Sequence, residues 1–88
     1  MRRAGRKDAV QAGIVKALRE HGMQVFIVNQ EGLPDLLVYH RGRWLPIEIK
    51  KPAGALTAAQ QRTRALAWFP VAQSATEALR LCYRMKRT

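Results

Sequence analysis

Apolar residues along the chain follow two different spacings. Between Asp8 and about Glu20 they recur at positions 10, 14, 17 and 18, which lie on one face of an amphipathic helix. Gly22 follows as the residue type that commonly ends a helix. The run 25–28 is short, β-branched and aromatic, and it predicts a buried strand. The chain therefore begins with a helix followed by a strand.

Two further strand-like runs, 35–39 and 44–50, flank the tetrapeptide 40–43 and predict a hairpin. In the second run apolar residues alternate with polar ones, so that strand is expected to have a dry face and a polar face. A turn on the two central residues of the tetrapeptide places Asp35 opposite Glu48. A slip of one residue would instead move one carboxylate to the other face of the sheet.

The rest of the chain predicts two helices and a short strand. Thr57 and Gln60 have the spacing of a capping box and begin a helix that runs to about residue 67. Residues 68–72 form a strand that contains a proline, which is typical of a sheet edge or a strand start. A second capping-box spacing at Ser74 begins the last helix. The predicted order is α-β-β-β-α-β-α.

Length and charge narrow the function. A chain of 88 residues has the size of one domain, so we expect a single domain over 1–88 with a basic N-terminal arm at 1–6 and a basic tail at 85–88. Sixteen Lys and Arg against six Asp and Glu give a formal net charge of +10, which is typical of a protein that binds a polyanion such as nucleic acid. Hydrophobic residues make up 48% of the chain, so it has enough apolar surface to fold.

Cysteine content and apolar run length indicate the compartment. Cys82 is the single cysteine, which excludes an intramolecular disulfide and a multi-cysteine zinc site and is typical of a reducing compartment. The apolar runs are only a few residues long, and the basic start is not followed by the apolar region of a signal peptide. We therefore expect a cytoplasmic protein with no membrane partner.

The hairpin brings together residues that suit phosphate chemistry. Asp35 and Glu48, if directly opposed, repel each other, and a divalent cation such as Mg²⁺ would compensate the repulsion. Lys50 lies two residues beyond Glu48 and therefore on the same face of the strand. Such an ion could activate a water molecule and neutralise charge on a phosphate, with Lys50 orienting the attacking water.

These residues resemble a known nuclease family. Pro34-Asp35 and Glu48-Ile49-Lys50, on consecutive strands between two helices, look like the PD-(D/E)XK superfamily. With 8–11, 32–35 and 56–60 added, most of the chain resembles the VRR-NUC domain, whose stand-alone members occur in phages and bacteria. The resemblance implies a restriction-endonuclease-like αβββαβ(α) core with a central mixed four-stranded sheet flanked by helices. It also implies a metal-dependent endonuclease that acts, as a homodimer, on branched DNA such as flaps or Holliday junctions, in a bacterial or phage-infected cell.

The resemblance assigns roles position by position. It implies that Asp35 and Glu48 are the metal carboxylates, that the carbonyl of Ile49 is a further ligand, and that Lys50 is the catalytic lysine. Gln60 would sit beside the site and belong to the catalytic set. The capping box explains Gln60 equally well without any role in catalysis. For the two carboxylates and Lys50, the competing interpretation is a solvated strand face with a surface ion pair worth less than about 1 kcal/mol.

Asp8 is the least regular of the carried-over ligands. The family usually has Glu at this position of the first helix, and Asp is one methylene shorter, so its reach to the metal could run through a water. Asp8 could equally stabilise the helix N-terminus through the macrodipole. Glu20, the other acid on this helix, lies in its last turn and is the poorer candidate.

The remaining expectations concern partners. Trp44 and Trp68 are expected to pack in the core or in a dimer contact rather than to stack on bases. We predict hydrolysis of branched or duplex DNA with Mg²⁺ or Mn²⁺. The alternatives are a non-catalytic nucleic-acid-binding module that keeps the nuclease fold, and a structural protein that recognises an acidic partner. The residues expected to contact the DNA backbone are Arg2, Arg3, Arg6, Lys7, Arg41, Arg43, Lys51, Arg62 and Arg64.

Overall fold

The chain folds as an α/β protein. The computed structural model describes residues 6–85, with side chains described from residue 9 onward. Over this part, no helix is long and apolar enough to cross a bilayer. The elements in chain order are α1 (Arg6–Glu20), β1 (Gln24–Ile27), β2 (Leu36–His40), β3 (Arg43–Ile49), α2 (Ala58–Leu66), β4 (Val71–Ala72) and α3 (Ala75–Arg84).

The four strands form one mixed sheet in the order β1-β2-β3-β4. The first three strands pair antiparallel, and β4 pairs parallel to β3. The parallel pairing requires a crossover between β3 and β4, and α2 supplies it. The predicted element order and the α/β class are confirmed.

The hairpin has the predicted register. His40 pairs with Arg43 and Leu36 with Ile47, so the next positions beyond this ladder are Asp35 and Glu48. The turn residues Arg41 and Gly42 have φ values of 54° and 80°. Positive φ at both central residues is the requirement of the tight hairpin turn whose twist matches the flanking strands. The two-residue turn therefore fixes which side chains face each other at the far end of the hairpin.

One face of the sheet packs against α1 and α3 to form the core. Alternate residues of the first three strands point to this face, because successive side chains of a strand lie on opposite sides. The helices contribute one apolar stripe each. The buried residues of this core are Ile14, Val15, Leu18, Met23, Val25, Leu36, Val38, Ile47, Ile49, Ala72, Ala78 and Cys82.

Two of the predicted strands differ from the observed ones. Only Val25 of β1 is buried. Phe26, which points away from the core, and Ile27, the last residue of this edge strand, are half-exposed. The strand predicted over 68–72 is limited to β4. It begins after Pro70, whose carbonyl accepts a hydrogen bond from the N–H of Glu48.

Both predicted N-caps are present, and they differ in detail. At α2 the Thr57 hydroxyl accepts from the N–H of Gln60, and the Gln60 side chain accepts from the N–H of Thr57, so the capping box is complete. At α3 the Ser74 hydroxyl accepts from the N–H of Glu77. The Glu77 carboxylate instead accepts from the N–H of Gln73, one residue earlier than a capping box requires.

Cys82 is expected to be inert in the folded protein. Burial raises the pKa of its thiol from 9.0 to about 11, and the thiolate is the reactive form. Iodoacetamide should therefore label Cys82 slowly at neutral pH and rapidly in denaturant, as measured by mass spectrometry. Since the folded pKa is the higher one, the neutral thiol favours folding below pH 9.0, and this contribution is lost as the pH rises towards about 11. Rapid labelling of folded protein would contradict this expectation.

Candidate active site

Glu48 is a fully buried carboxylate at the end of β3. Its side chain is 0% exposed, although alternation along the strand predicted a polar, solvated face at this position. The first turn of α2 reaches this end of β3, where Gln60 contacts the carboxylate. One carboxylate oxygen, Oε2, accepts a hydrogen bond from Nε2 of Gln60 at 2.9 Å and lies 3.3 Å from Nζ of Lys50. The interpretation as a surface ion pair is therefore wrong for Glu48.

Lys50 contributes the positive charge beside this carboxylate. It follows β3 directly, and its side chain is only 12% exposed. The N–H of Lys50 donates to the carbonyl of Ala72, so pairing with β4 holds the backbone from which the ammonium extends. A lysine held near a buried carboxylate loses part of its hydration, and the ion pair offsets that cost.

Asp35 lies at the entrance to β2, next to Glu48 across the hairpin. Its Oδ2 accepts the N–H of Ile49 at 2.8 Å, and its own carbonyl accepts the N–H of Val28 at 2.8 Å. The side chain of Asp35 is thus hydrogen-bonded to β3, and its backbone is hydrogen-bonded to Val28, the residue that follows β1. The structure brings Asp35, Glu48 and Lys50 together, as the hairpin register predicted.

Gln60 completes the capping box and also contacts Glu48, so it sits beside the candidate site as predicted, while its catalytic role stays a prediction. Its Oε1 accepts the N–H of Thr57 in the capping box, and its Nε2 donates to Glu48. The box uses only the carbonyl end of the amide, which leaves the amino end to reach the carboxylate. Gln60 is buried and lies in the first turn of α2.

A close approach between α2 and the loop before β2 keeps the helix over the site. Gly32 in that loop has φ of 83°, and a Cβ there would lie 3.4 Å from the Cβ of Ala59 and 3.5 Å from Oγ1 of Thr63. Positive φ is strained for other residue types, so glycine suits this position. The loop that leads to Asp35 and the helix that carries Gln60 are thereby packed against each other.

The donor set suits a hard divalent cation. Carboxylate and carbonyl oxygens are the ligands that Mg²⁺ prefers, and Mg²⁺ is commonly held by one or two carboxylates with water and substrate phosphate completing the shell. Asp35 and Glu48 together carry one more negative charge than Lys50 balances. Among residues 9–85, no group of three or more His, Cys, Asp and Glu side chains is placed to hold a metal ion, so these two carboxylates are the acidic donors that this part offers.

Several predicted residues lie where the structure does not describe their side chains. Arg2 and Arg3 lie outside the described residues. Arg6, Lys7 and Asp8 form the first turn of α1, and their side chains are likewise outside the described part. Their predicted contacts with DNA and metal stay predictions.

The other predicted DNA contacts divide by position. Lys51 and Arg62 are exposed, on the connection after β3 and on α2 respectively. Arg41 and Arg43 lie at the turn end of the hairpin, and Arg43 is five strand steps, about 16 Å, from Glu48, so these two arginines do not flank the carboxylates; their predicted contact with DNA stays a prediction. Arg41 packs over the ring of Tyr83, with 5.6 Å from Cζ to the ring centroid.

Arg64 is engaged within the protein. Its Nε donates to the carbonyl of Phe69 at 2.8 Å, and its guanidinium lies over the ring of Trp68 with Cζ 4.9 Å from the centroid. These contacts connect the end of α2 to the segment that leads into β4. Arg64 therefore has a structural role, and its predicted contact with DNA stays a prediction.

The two tryptophans are exposed, and neither packs in the core of this chain as the core alternative predicted. Trp68 is 68% exposed and Trp44 is 55% exposed. Trp44 lies on the same sheet face as Glu48, two strand positions beyond Pro46. It belongs to a group that we call the aromatic surface, formed by the exposed Phe26, Tyr39 and Trp44 with the partly buried Leu37 and Pro46. Sequence reasoning missed this surface, although its residues alternate with buried ones along each strand.

Comparisons with known proteins give no relative for this chain. No family model, no curated protein and no solved structure matches it.

Proposed function

We propose that this protein is a Mg²⁺- or Mn²⁺-dependent endonuclease that hydrolyses phosphodiester bonds of DNA, with a preference for branched structures. The observation that supports it best is the buried Glu48 carboxylate, held by Gln60 and Lys50 beside Asp35. A buried acid costs free energy unless it is paired, and proteins commonly keep such groups for chemistry.

The fold is part of the same proposal. The mixed four-stranded sheet, with one helix before β1 and another between β3 and β4, has the order of the restriction-endonuclease-like αβββαβ(α) core. In that arrangement the residues resembling the PD and ExK motifs lie at the start of β2 and the end of β3, which is the same end of the hairpin. The order of elements and the position of these motifs support the assignment together.

Each residue has a role in the proposed reaction. Asp35 and Glu48, with the carbonyl of Ile49, would hold the ion, and Asp8 would reach it from α1. The bound ion would polarise the scissile phosphate and activate water. Gln60 fixes the rotamer of Glu48 through its hydrogen bond.

Lys50 acts on the attacking water and on the phosphate. Its ammonium lies 3.3 Å from Glu48 and would orient the water and stabilise negative charge that develops on the phosphate oxygens. The water oxygen forms a bond to phosphorus and gives up a proton to solvent, the bond from phosphorus to the leaving oxygen breaks, and the leaving oxygen takes up a proton from solvent. Fixing the ammonium before substrate arrives reduces the reorganisation that the reaction requires.

The net charge of +10 supports a polyanionic substrate. We propose that exposed Lys51 and Arg62, together with the basic arm, contact phosphates around the site. Two copies with two-fold symmetry would match a four-way junction, so a homodimer in the cytoplasm belongs to the proposal. Sedimentation of the protein with and without a junction measures that assembly.

A substrate panel tests the proposed activity. We expect the protein, supplied with Mg²⁺ or Mn²⁺, to cut flap or four-way-junction DNA faster than linear duplex of the same sequence, and not to cut in EDTA. The reason is that no base-reading motif is visible, so backbone shape and charge determine the choice of substrate. Gel analysis of the products measures it. Folded protein that cuts none of these substrates with either metal would contradict the proposal.

A further inference from the structure

The aromatic surface is an ordered group of rings on an open sheet face. Phe26, Leu37 and Pro46 are neighbours across β1, β2 and β3, and Tyr39 and Trp44 are neighbours in the next row. The ring of Trp44 lies 4.9 Å from that of Tyr39 and 5.9 Å from that of Phe26, centroid to centroid. The rings are tilted by 58° and 43° rather than stacked on one another, so they do not cover each other's faces.

This surface continues directly into the candidate active site. Residues two apart on a strand share a face, and Trp44, Pro46, Glu48 therefore lie along one side of β3 at steps of about 7 Å. The helix α2 contacts this face at its Glu48 end, through Gln60. Trp44 stays 55% exposed, Phe26 49% and Tyr39 37%. Any strand of DNA that reaches the carboxylates along this face crosses the rings.

The size of the surface argues against a second copy of the chain as its occupant. An aromatic side chain has on the order of 200 Å² of surface, so the exposed fractions of these three rings amount to roughly 300 Å². A stable protein interface buries about 800 Å² on each partner. An exposed area of roughly 300 Å² is too small for a stable protein interface and is enough for a few planar ligand groups.

Charge and chemistry point to nucleobases as those groups. None of the described acids other than Asp35 and Glu48 lies on this face of β2 and β3. Exposed rings in a strongly basic protein are the combination that binds single-stranded nucleic acid, since bases stack on the rings while cations hold the backbone. Bases inside a duplex are already stacked on each other and cannot use such a surface.

We propose that the aromatic surface binds unpaired bases of single-stranded DNA, with Trp44 as the central stacking residue. The inference rests on the proposed action on DNA and specifies the substrate: a strand that is unpaired next to the bond to be cut, as at a flap or an open junction. The rings position the strand, and they take no part in the bond-breaking step.

Tryptophan fluorescence tests the stacking directly. The chain has two tryptophans, so Trp68→Phe leaves Trp44 as the only one. In EDTA, we expect an oligothymidylate to quench the emission of Trp44 to saturation, and an abasic oligonucleotide of equal length to leave it nearly unchanged. Trp44→Phe, which leaves only Trp68, is the matched control and should show little quenching. Unchanged Trp44 emission while anisotropy shows the oligothymidylate bound would overturn the inference.

Affinity gives a second measurement. Trp44→Ala should weaken binding of the oligothymidylate by about 5- to 150-fold, while binding of the abasic oligonucleotide and of duplex DNA changes little. Trp68→Ala, at the other exposed tryptophan, should change none of the three. Equal weakening by both variants would contradict the inference. The inference would also be contradicted if the protein forms a dimer in the absence of DNA and Trp44→Ala abolishes that dimer, because a second copy of the chain would then occupy the surface.

The two proposals can fail separately. Quenching of Trp44 without any cleavage by Mg²⁺- or Mn²⁺-loaded protein would sustain the stacking surface and overturn the proposed hydrolysis. Cleavage without quenching of Trp44 would sustain the proposed hydrolysis and overturn the stacking surface. Because the binding measurements use EDTA, they do not depend on the catalytic residues.

Discussion

Glu48→Gln should lower the rate of metal-dependent DNA cleavage by about 10²- to 10⁴-fold. Gln has nearly the same shape as Glu and can still accept the hydrogen bond from Gln60, so the packing around β3 is kept. What the substitution removes is the negative charge that holds Lys50 and that would hold the ion. Cleavage of a four-way junction under single-turnover conditions measures the effect.

A matched control separates chemistry from net charge. Glu31→Gln removes the same charge from an exposed position in the loop between β1 and β2 and should leave the rate within about 2-fold. Circular dichroism and thermal unfolding of both variants verify that each is folded at the assay temperature. A Glu48→Gln protein that cuts at the wild-type rate would show that the buried carboxylate is not part of the reaction.

Phe69→Ala should destabilise the protein by about 3–5 kcal/mol, a large part of the roughly 5–15 kcal/mol that stabilises a typical domain. Phe69 is the largest fully buried side chain among the described residues, and it lies between the end of α2 and the start of β4. The guanidinium of Arg64 rests over its ring, with 5.8 Å from Cζ to the centroid. Removing the ring leaves a cavity beneath the helix that carries Gln60.

The same substitution at Phe26 provides the control. Phe26 is 49% exposed on the edge strand and is already partly solvated, so Phe26→Ala should cost only about 1–2 kcal/mol. Urea unfolding of both variants, with the slope held equal, compares the two free energies. Equal losses would contradict the assignment of Phe69 to a tightly packed position.

Short-range chemistry explains why the sequence predicted the hairpin and its carboxylate pair. Arg41 and Gly42 form the turn, and a two-residue turn leaves a single register, from which the opposition of Asp35 and Glu48 follows. The capping box at Thr57 is equally local. Features determined within a few residues of sequence were therefore predictable.

Features that depend on packing between elements distant in sequence were not predictable from the sequence. The burial of Glu48 goes with its contact to Gln60 in the first turn of α2, which alternation along one strand cannot reveal. Trp44 is 55% exposed on the same face on which Glu48 is buried, so the two ends of one strand face differ in their cover. A periodic pattern shows that two faces exist, but it does not show which face another element covers. The distance of Arg41 and Arg43 from the carboxylates likewise follows from the length of the hairpin.

Asp35→Ala tests the central claim most directly. Wild-type and Asp35→Ala proteins are given the same four-way junction, and both binding in EDTA and cutting with Mn²⁺ are measured. If the two carboxylates form a metal-dependent hydrolytic site, the variant binds the junction as tightly as wild type or more tightly, since a negative charge near the phosphate has been removed, and cuts it at least about 10²-fold more slowly. Equal cutting by the two proteins would contradict the account.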